Sequence, residues 1–167
     1  AATATTRQRV ARLNADGTLD ANFDPGPNAQ INSVALQADG RIMLGGQFTA
    51  FRPNNAETRN YFARLLNDPA TQTLVTLHET QALWQRGGTA PELSRVTFDL
   101  STDGGATWTP LGLATRVGKT PSWRMLGLQL PTSGHLRARG TTSGGTYNGS
   151  SGLIEQVAVL SYPAITD

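Results

Sequence analysis

The chain reads as all-β: one blade-like four-stranded repeat unit followed by a seven-stranded β-sandwich. Three observations carry this. Short runs of alternating apolar and polar residues are separated by Asp-Gly, Gly-Gly and Pro-containing turns along the whole length. Val10-Ala11-Arg12-Leu13-Asn14-Ala15-Asp16 recurs in altered form as Phe62-Ala63-Arg64-Leu65-Leu66-Asn67-Asp68, a spacing of about 50 residues that marks stacked or radial β architectures. With 18 Gly, 9 Pro and only 16% charged residues among 167, the composition suits thin β layers joined by many turns.

The first unit is expected over residues 1–68. Residues 7–14 alternate polar and apolar, a strand pattern, and Asp16-Gly17 supplies a tight turn. Leu19 to Phe23 is a short return strand, and Asp24-Pro25-Gly26-Pro27 breaks the pattern. Ile31 to Gln37 and Arg41 to Gly46 flank Asp39-Gly40, which predicts a hairpin. Tyr61 to Leu66 closes the period, giving the strand content of a propeller blade. A single such unit cannot bury its own apolar face, so it is expected to be one end of a longer array or to be completed by another chain.

Asn67-Asp68-Pro69-Ala70-Thr71 is the boundary candidate, with the sandwich over 72–163 and a tail at 164–167. Seven strand candidates follow: Leu74 to His78, Ala82 to Gln85, Arg95 to Ser101, Thr107 to Leu113, Trp123 to Leu130, His135 to Gly140 and Leu153 to Leu160. Seven short strands in roughly a hundred residues is the pattern of an immunoglobulin-like or fibronectin-III-like sandwich. Alternation puts Leu74, Leu83, Val96, Phe98, Leu100, Trp108, Leu126, Leu128, Leu130, Leu136, Ala138, Val157 and Val159 inward.

Composition narrows the function classes. Net charge is +2 and no Lys/Arg run occurs, so no nucleic-acid partner is expected. The absence of cysteine removes disulfides, thiol catalysis and Cys-type zinc sites. No apolar run reaches the ~18–20 residues of a spanning helix, so no membrane insertion is expected. Ala1 to Thr6 lacks the charged and apolar regions of a secretory signal; for an exported protein the signal would lie upstream or have been removed.

Residues 9–66 resemble the delta-60 repeat of bacterial multi-repeat proteins. The resemblance rests on Arg12-Leu13-Asn14-Ala15-Asp16-Gly17-Thr18-Leu19-Asp20, on Asn22-Phe23-Asp24-Pro25-Gly26, and on Val34 to Gly46 with Phe48-Thr49. It implies blade-like repeats carried in tandem on large exported proteins, with no catalytic residues to carry over. The remaining segment is similar to the β-sandwich that often follows such repeats.

Ser101-Thr102-Asp103-Gly104-Gly105-Ala106-Thr107-Trp108 matches the Asp-box, S-x-D-x-G-x-T-W. Sialidases carry such boxes away from their catalytic centres, and a turn explains every motif residue. Asp103 accepts turn N–H groups, Gly105 tolerates positive φ, and Trp108 packs under the loop. A glycosidase needs two carboxylates facing each other across a sugar, and no acid here falls in such a motif. Asn14, Asp16, Gly17 and Asp20 depart from the EF-hand template, which wants Gly sixth and Glu twelfth; a turn is the better reading. His78 and His135 lack metal-ligand spacing, and neither metal nor cofactor is expected. Trp84, Trp123 and Tyr147 are candidate glycan-stacking residues, weighed against the demand of a thin sandwich for large aromatics inside.

These readings give a non-enzymatic, extracellular or cell-surface β module. It assembles with copies of itself or with further repeats by strand pairing, and Ala1 to Thr6 and Val157 to Leu160 are the candidate donors. The alternative is a carbohydrate-binding module with surface glycans as partners.

Overall fold

The computed structural model describes residues 6–14, 16–52, 57–142 and 152–160. Among these every regular element is a strand, in two compact units: residues 1–37 with 41–67, and 68–167 with the turn residues 38–40.

In the first unit, β1 (Ile31–Leu36), β2 (Ile42–Gly46) and β5 (Phe62–Leu65) form a three-stranded antiparallel sheet in the order β1-β2-β5. The short strands β3 (Ala50–Phe51) and β4 (Glu57–Thr58) pair with each other. The β1–β2 hairpin forms as the Asp39-Gly40 signal predicts, with Gly40 at φ 89°. Its register puts Val34, Leu44 and Ala63 in one cross-strand row, and Leu36, Ile42 and Leu65 in the next. Leu44 and Ala63 are buried with Phe48 and Phe51, whose rings meet edge-on at 4.8 Å. Along β1 that small cluster reaches only Ile31. Val34 and Leu36, on β1, stay half-exposed.

Residues 7–14 differ from expectation. They carry the same alternation as β5, yet they form no sheet strand, only an isolated bridge between Leu13 and Leu19. The reason is pairing. Phe62–Leu65 lies against β2, whereas among the described residues 12–14 pairs only with the short return 18–20, where Asn14 N–H donates to the Thr18 carbonyl and Asp20 N–H to the Arg12 carbonyl. Its Arg12 instead holds Asp20 in an ion pair at 2.5 Å and sits over the Phe23 ring.

The second unit stacks two four-stranded antiparallel sheets. One runs β10 (Thr115–Arg116), β11 (Trp123–Leu126), β7 (Gln81–Gly88), β6 (Ala70–His78). The other runs β13 (Leu153–Val159), β12 (His135–Thr142), β8 (Leu93–Ser101), β9 (Thr109–Leu113). All seven expected strands are present. The eighth, β10, arises because the chain leaves the second sheet after Leu113 and joins the first at Thr115. Ala114 N–H donates to the Val96 carbonyl at that crossing.

The core contains Leu74, Ala82, Trp84, Val96, Phe98, Trp123, Met125, Leu136 and Ala138 among others. Trp84 is fully buried at its centre, and Gly140 makes room for it: a Cβ there would lie 3.1 Å from the Trp84 ring and run into Leu93. The indole N–H donates to Gln156 Oε1 at 2.7 Å, which satisfies the one polar atom of an otherwise apolar ring.

Five inward assignments are corrected, the first being Trp108, which is half-buried outside the core and lies against outward Arg137. On β7 the inward residues are Ala82 and Trp84, so Leu83 is only partly buried. On β11 the inward pair is Trp123 and Met125, and Leu126 faces solvent. On β13 the inward row is Ile154, Gln156 and Ala158, which turns Leu153, Val157 and Val159 outward. Gln156 fixes that phase, because only an inward Gln156 reaches the Trp84 indole. A one-residue slip would reverse every side chain of the strand.

Candidate functional site

Two kinds of feature invite a functional reading: the Ser101–Trp108 turn with the ion-pair row beside it, and the open edges of the sheets.

The turn is closed by its own side chains. Ser101 Oγ donates to Asp103 Oδ1 at 2.7 Å and accepts from Gly105 N–H at 2.9 Å. Asp103 accepts the Thr107 N–H at 3.0 Å and the Thr107 hydroxyl at 2.6 Å. Gly104 and Gly105 both have positive φ, at 74° and 94°. The Thr107 hydroxyl, then the Thr107 N–H, then the Ser101 hydroxyl hold the Asp103 carboxyl well below the usual carboxylate range. A carboxylate held this way is kept charged and occupied by the turn. It is not set up to take or give a proton near neutrality.

Trp108, at the end of the turn, lies under the Arg137 guanidinium, 4.2 Å from the ring centroid. Arg137 also forks onto buried Asp99, with Nε and Nη2 at 3.1 and 3.0 Å from Oδ2. Glu155 lies 3.8 Å from Arg137 Nε and 3.2 Å from Arg139 Nε. The register explains the cluster: Arg137 is opposite Asp99 on β8, and Arg139 is opposite Glu155 on β13. Sequence reasoning missed it because the partners are far apart in the chain. The signal available was that Asp99, Arg137, Arg139 and Glu155 all fall at outward positions of their strands.

The Asp16 turn is built in the same manner. Asp16 accepts the Thr18 N–H and hydroxyl at 2.9 and 2.7 Å, and the Thr18 hydroxyl is the main cause lowering its pKa. Gly17, and Gly40 in the β1–β2 hairpin, take the positive φ each turn needs. Asn14 donates to Thr18, and the Asp20 carboxylate is engaged by Arg12 and by Asn22 N–H. Among the described residues no group of three His, Cys, Asp or Glu side chains stands together in a way that could hold a metal ion.

Trp84 and Trp123 are neighbours on β7 and β11 and both are buried. A sugar-stacking platform needs open ring faces, and these two lie inside the sandwich core. Tyr147 lies outside the described residues.

The edges are the second feature. Leu13, Val34, Leu36, Tyr61, Phe62 and Leu66 are exposed apolar residues of the first unit. Every residue of β1 but Ile31 is exposed. In the second unit Leu113, Leu126, Leu153, Val157 and Val159 are exposed, three of them on the edge strand β13.

Residues 1–23 and 37–68 match the family model described as a domain of unknown function (DUF5122), beta-propeller. The first unit is thus similar to a propeller-blade repeat, and the match ends where the sandwich begins. No curated protein and no solved structure matches the chain.

Proposed function

We propose that this chain is a non-enzymatic structural or adhesive β module, working outside the cell, that assembles with neighbouring chains or repeats through strand pairing. The observation that carries the reading is the combination of open sheet edges with exposed apolar side chains on the same strands. A strand edge presents unpaired N–H and C=O groups that template another strand, and apolar rows beside it add burial to the backbone bonds.

The second unit is read as an immunoglobulin-like or fibronectin-III-like sandwich. Lettering β6, β7, β8, β10, β11, β12 and β13 as A to G turns the two sheet orders into D-E-B-A and G-F-C, with β9 as an added strand beside C. Without β9, that order is the one found in constant-type immunoglobulin domains, which supports the reading. Such sandwiches serve widely as spacers and adhesion modules, so this reading agrees with the first by analogy of fold alone. The Ser101–Trp108 segment is read as an Asp-box used to staple a turn.

The non-enzymatic reading is supported by the state of the carboxylates. Asp16, Asp20, Asp99, Asp103 and Glu155 are engaged by Thr18, Arg12, Arg137, Thr107 and Arg139 respectively, and Glu92 is paired with Arg116. The extracellular location follows the resemblance of residues 9–66 to repeats carried on exported proteins. The carbohydrate-binding alternative has no observation in its favour, with Trp84 and Trp123 inside the core.

Light scattering of the purified chain over a concentration series tests the reading. Mass that rises with concentration is expected. A monomer that persists at the highest concentration would refute it.

A further inference from the structure

We propose that β13 is a homotypic docking edge, where two copies of this chain pair their β13 strands antiparallel about a two-fold axis at Gln156. The inference rests on the assembly reading above and adds to it the partner, the strand and the register.

Natural sheet edges are blunted by bulges, prolines, charges or shortness, and the other edges of the two units follow this rule. β6 is bulged between Thr76 and His78. β9 carries Pro110 and lies against a bulge between Phe98 and Asp99. β1 is irregular between Ile31 and Ser33. β10 is two residues long, and β5 has four residues including Arg64. β13 has no bulge and no proline and is not short. It pairs with β12 over seven residues without a register shift, contains no proline or lysine, and holds one charge, Glu155.

The backbone of β13 faces the right way. Leu160 N–H donates to the Gly134 carbonyl at one end, and Thr142 N–H donates to the Gly152 carbonyl at the other. Antiparallel bonding alternates, so the even-numbered residues of β13 bond to β12. The N–H and C=O groups of Leu153, Glu155, Val157 and Val159 therefore point to the open edge. These four are also the outward side chains, with Val159 67% exposed. In the present phase the strand turns its more apolar row to solvent and keeps Gln156 inside.

The strand is self-complementary in one register. An axis at Gln156 sets Leu153 opposite the partner's Val159 and Glu155 opposite the partner's Val157, so all four outward residues find a partner. An axis one residue earlier, at Glu155, would oppose two like charges. In the favoured register the charges alternate across the seam. The row runs Asp99, Arg137, Val157, then the partner's Glu155 and the partner's Arg139, following the cross-strand pairs within each sheet. The two four-stranded sheets join into one of eight strands. A two-fold contact of this kind closes on itself, so growth into a filament would use a second edge such as β1.

The absence of native cysteine permits a direct test. Chains bearing Glu155→Cys and chains bearing Val157→Cys are oxidised separately and as a mixture, beside sedimentation of wild type, Val157→Pro and Leu113→Glu. Directly opposed residues lie within disulfide reach, while residues two positions off exceed it. Cross-linking in the mixture but in neither chain alone is expected. Val157→Pro keeps every bond to β12, because its N–H points outward, and should weaken dimerisation by about tenfold or more. Leu113→Glu, on the opposite edge of the same sheet, should dimerise as wild type does. Cross-linking of either cysteine chain alone, or dimerisation of a folded Val157→Pro chain at wild-type strength, would overturn the proposal while leaving self-assembly through another strand standing. A wild-type chain that never leaves the monomer would overturn both.

Discussion

The two units solve the same burial problem to different degrees. In the second, two sheets face each other and each supplies the other's cover, so Trp84, Val96, Phe98, Leu136 and Ala138 are all fully buried. In the first, Phe48 and Phe51 cover one sheet's apolar face among the described residues, and along β1 that cover reaches Ile31 but leaves Val34 and Leu36 exposed. A sheet needs a second layer. The sandwich contains its own, whereas the sheet of the first unit leaves Val34 and Leu36 on β1 exposed.

Core truncations should break the comparison most visibly. Trp84→Ala removes the central ring and leaves Gln156 without its indole partner, and a loss of roughly 3–5 kcal/mol is expected in denaturant unfolding of the second unit. Leu136→Ala and Leu44→Ala remove side chains that are both fully buried. The first should cost about 3–5 kcal/mol. The second should cost closer to about 2, because the cavity beside a half-covered sheet can collapse. Equal costs would mean that the first unit is as tightly enclosed as the second.

Arg137→Ala comes next. It strips buried Asp99 of its fork and opens the face of Trp108, so roughly 3 kcal/mol is expected, read from the urea midpoint. Arg137→Lys should recover part of the loss but not the fork geometry.

The turn at Asp103 should have a smaller effect, with a definite sign in pH. Its folded pKa is depressed, so its contribution is present above the unfolded value near 3.8 and is lost as pH falls through the lower folded value. Asp103→Asn should therefore lower stability at neutral pH and flatten the acid limb of a stability profile. A variant with the wild-type acid limb would remove Asp103 from the turn's support. Phe62→Ser, on an exposed position of β5, should change stability by no more than about 0.5 kcal/mol.

Local signals were legible in the sequence, and the relations between strands were less so. Asp39-Gly40 announced the β1–β2 hairpin, and the turn residues from Ser101 to Trp108 announced their own closure. Both depend on neighbours in the chain. The Leu13–Leu19 bridge in place of a full strand could not be read, because alternation states what a strand would look like and not whether a partner lies beside it. The crossing at Ala114 was hidden for a similar reason: Leu113 and Thr115 look continuous until the two sheets are in place. The phase of β13 misled most. Leu153, Val157 and Val159 are the more hydrophobic row, and hydrophobicity alone turns them inward. The opposite phase would bury Glu155, and the observed one buries Ile154 and seats Gln156 against the Trp84 indole, leaving an apolar row on the edge strand.

Amide hydrogen exchange measured on the same chain in dilute and in concentrated solution tests most directly whether that open edge is where the molecule meets its neighbours. The amides of Leu153, Glu155, Val157 and Val159 should gain protection as concentration rises, while those of the bulged edge strand β6 stay unchanged. Exchange along β13 that ignores concentration in a chain that does associate, or protection gained on β6 instead, would contradict it.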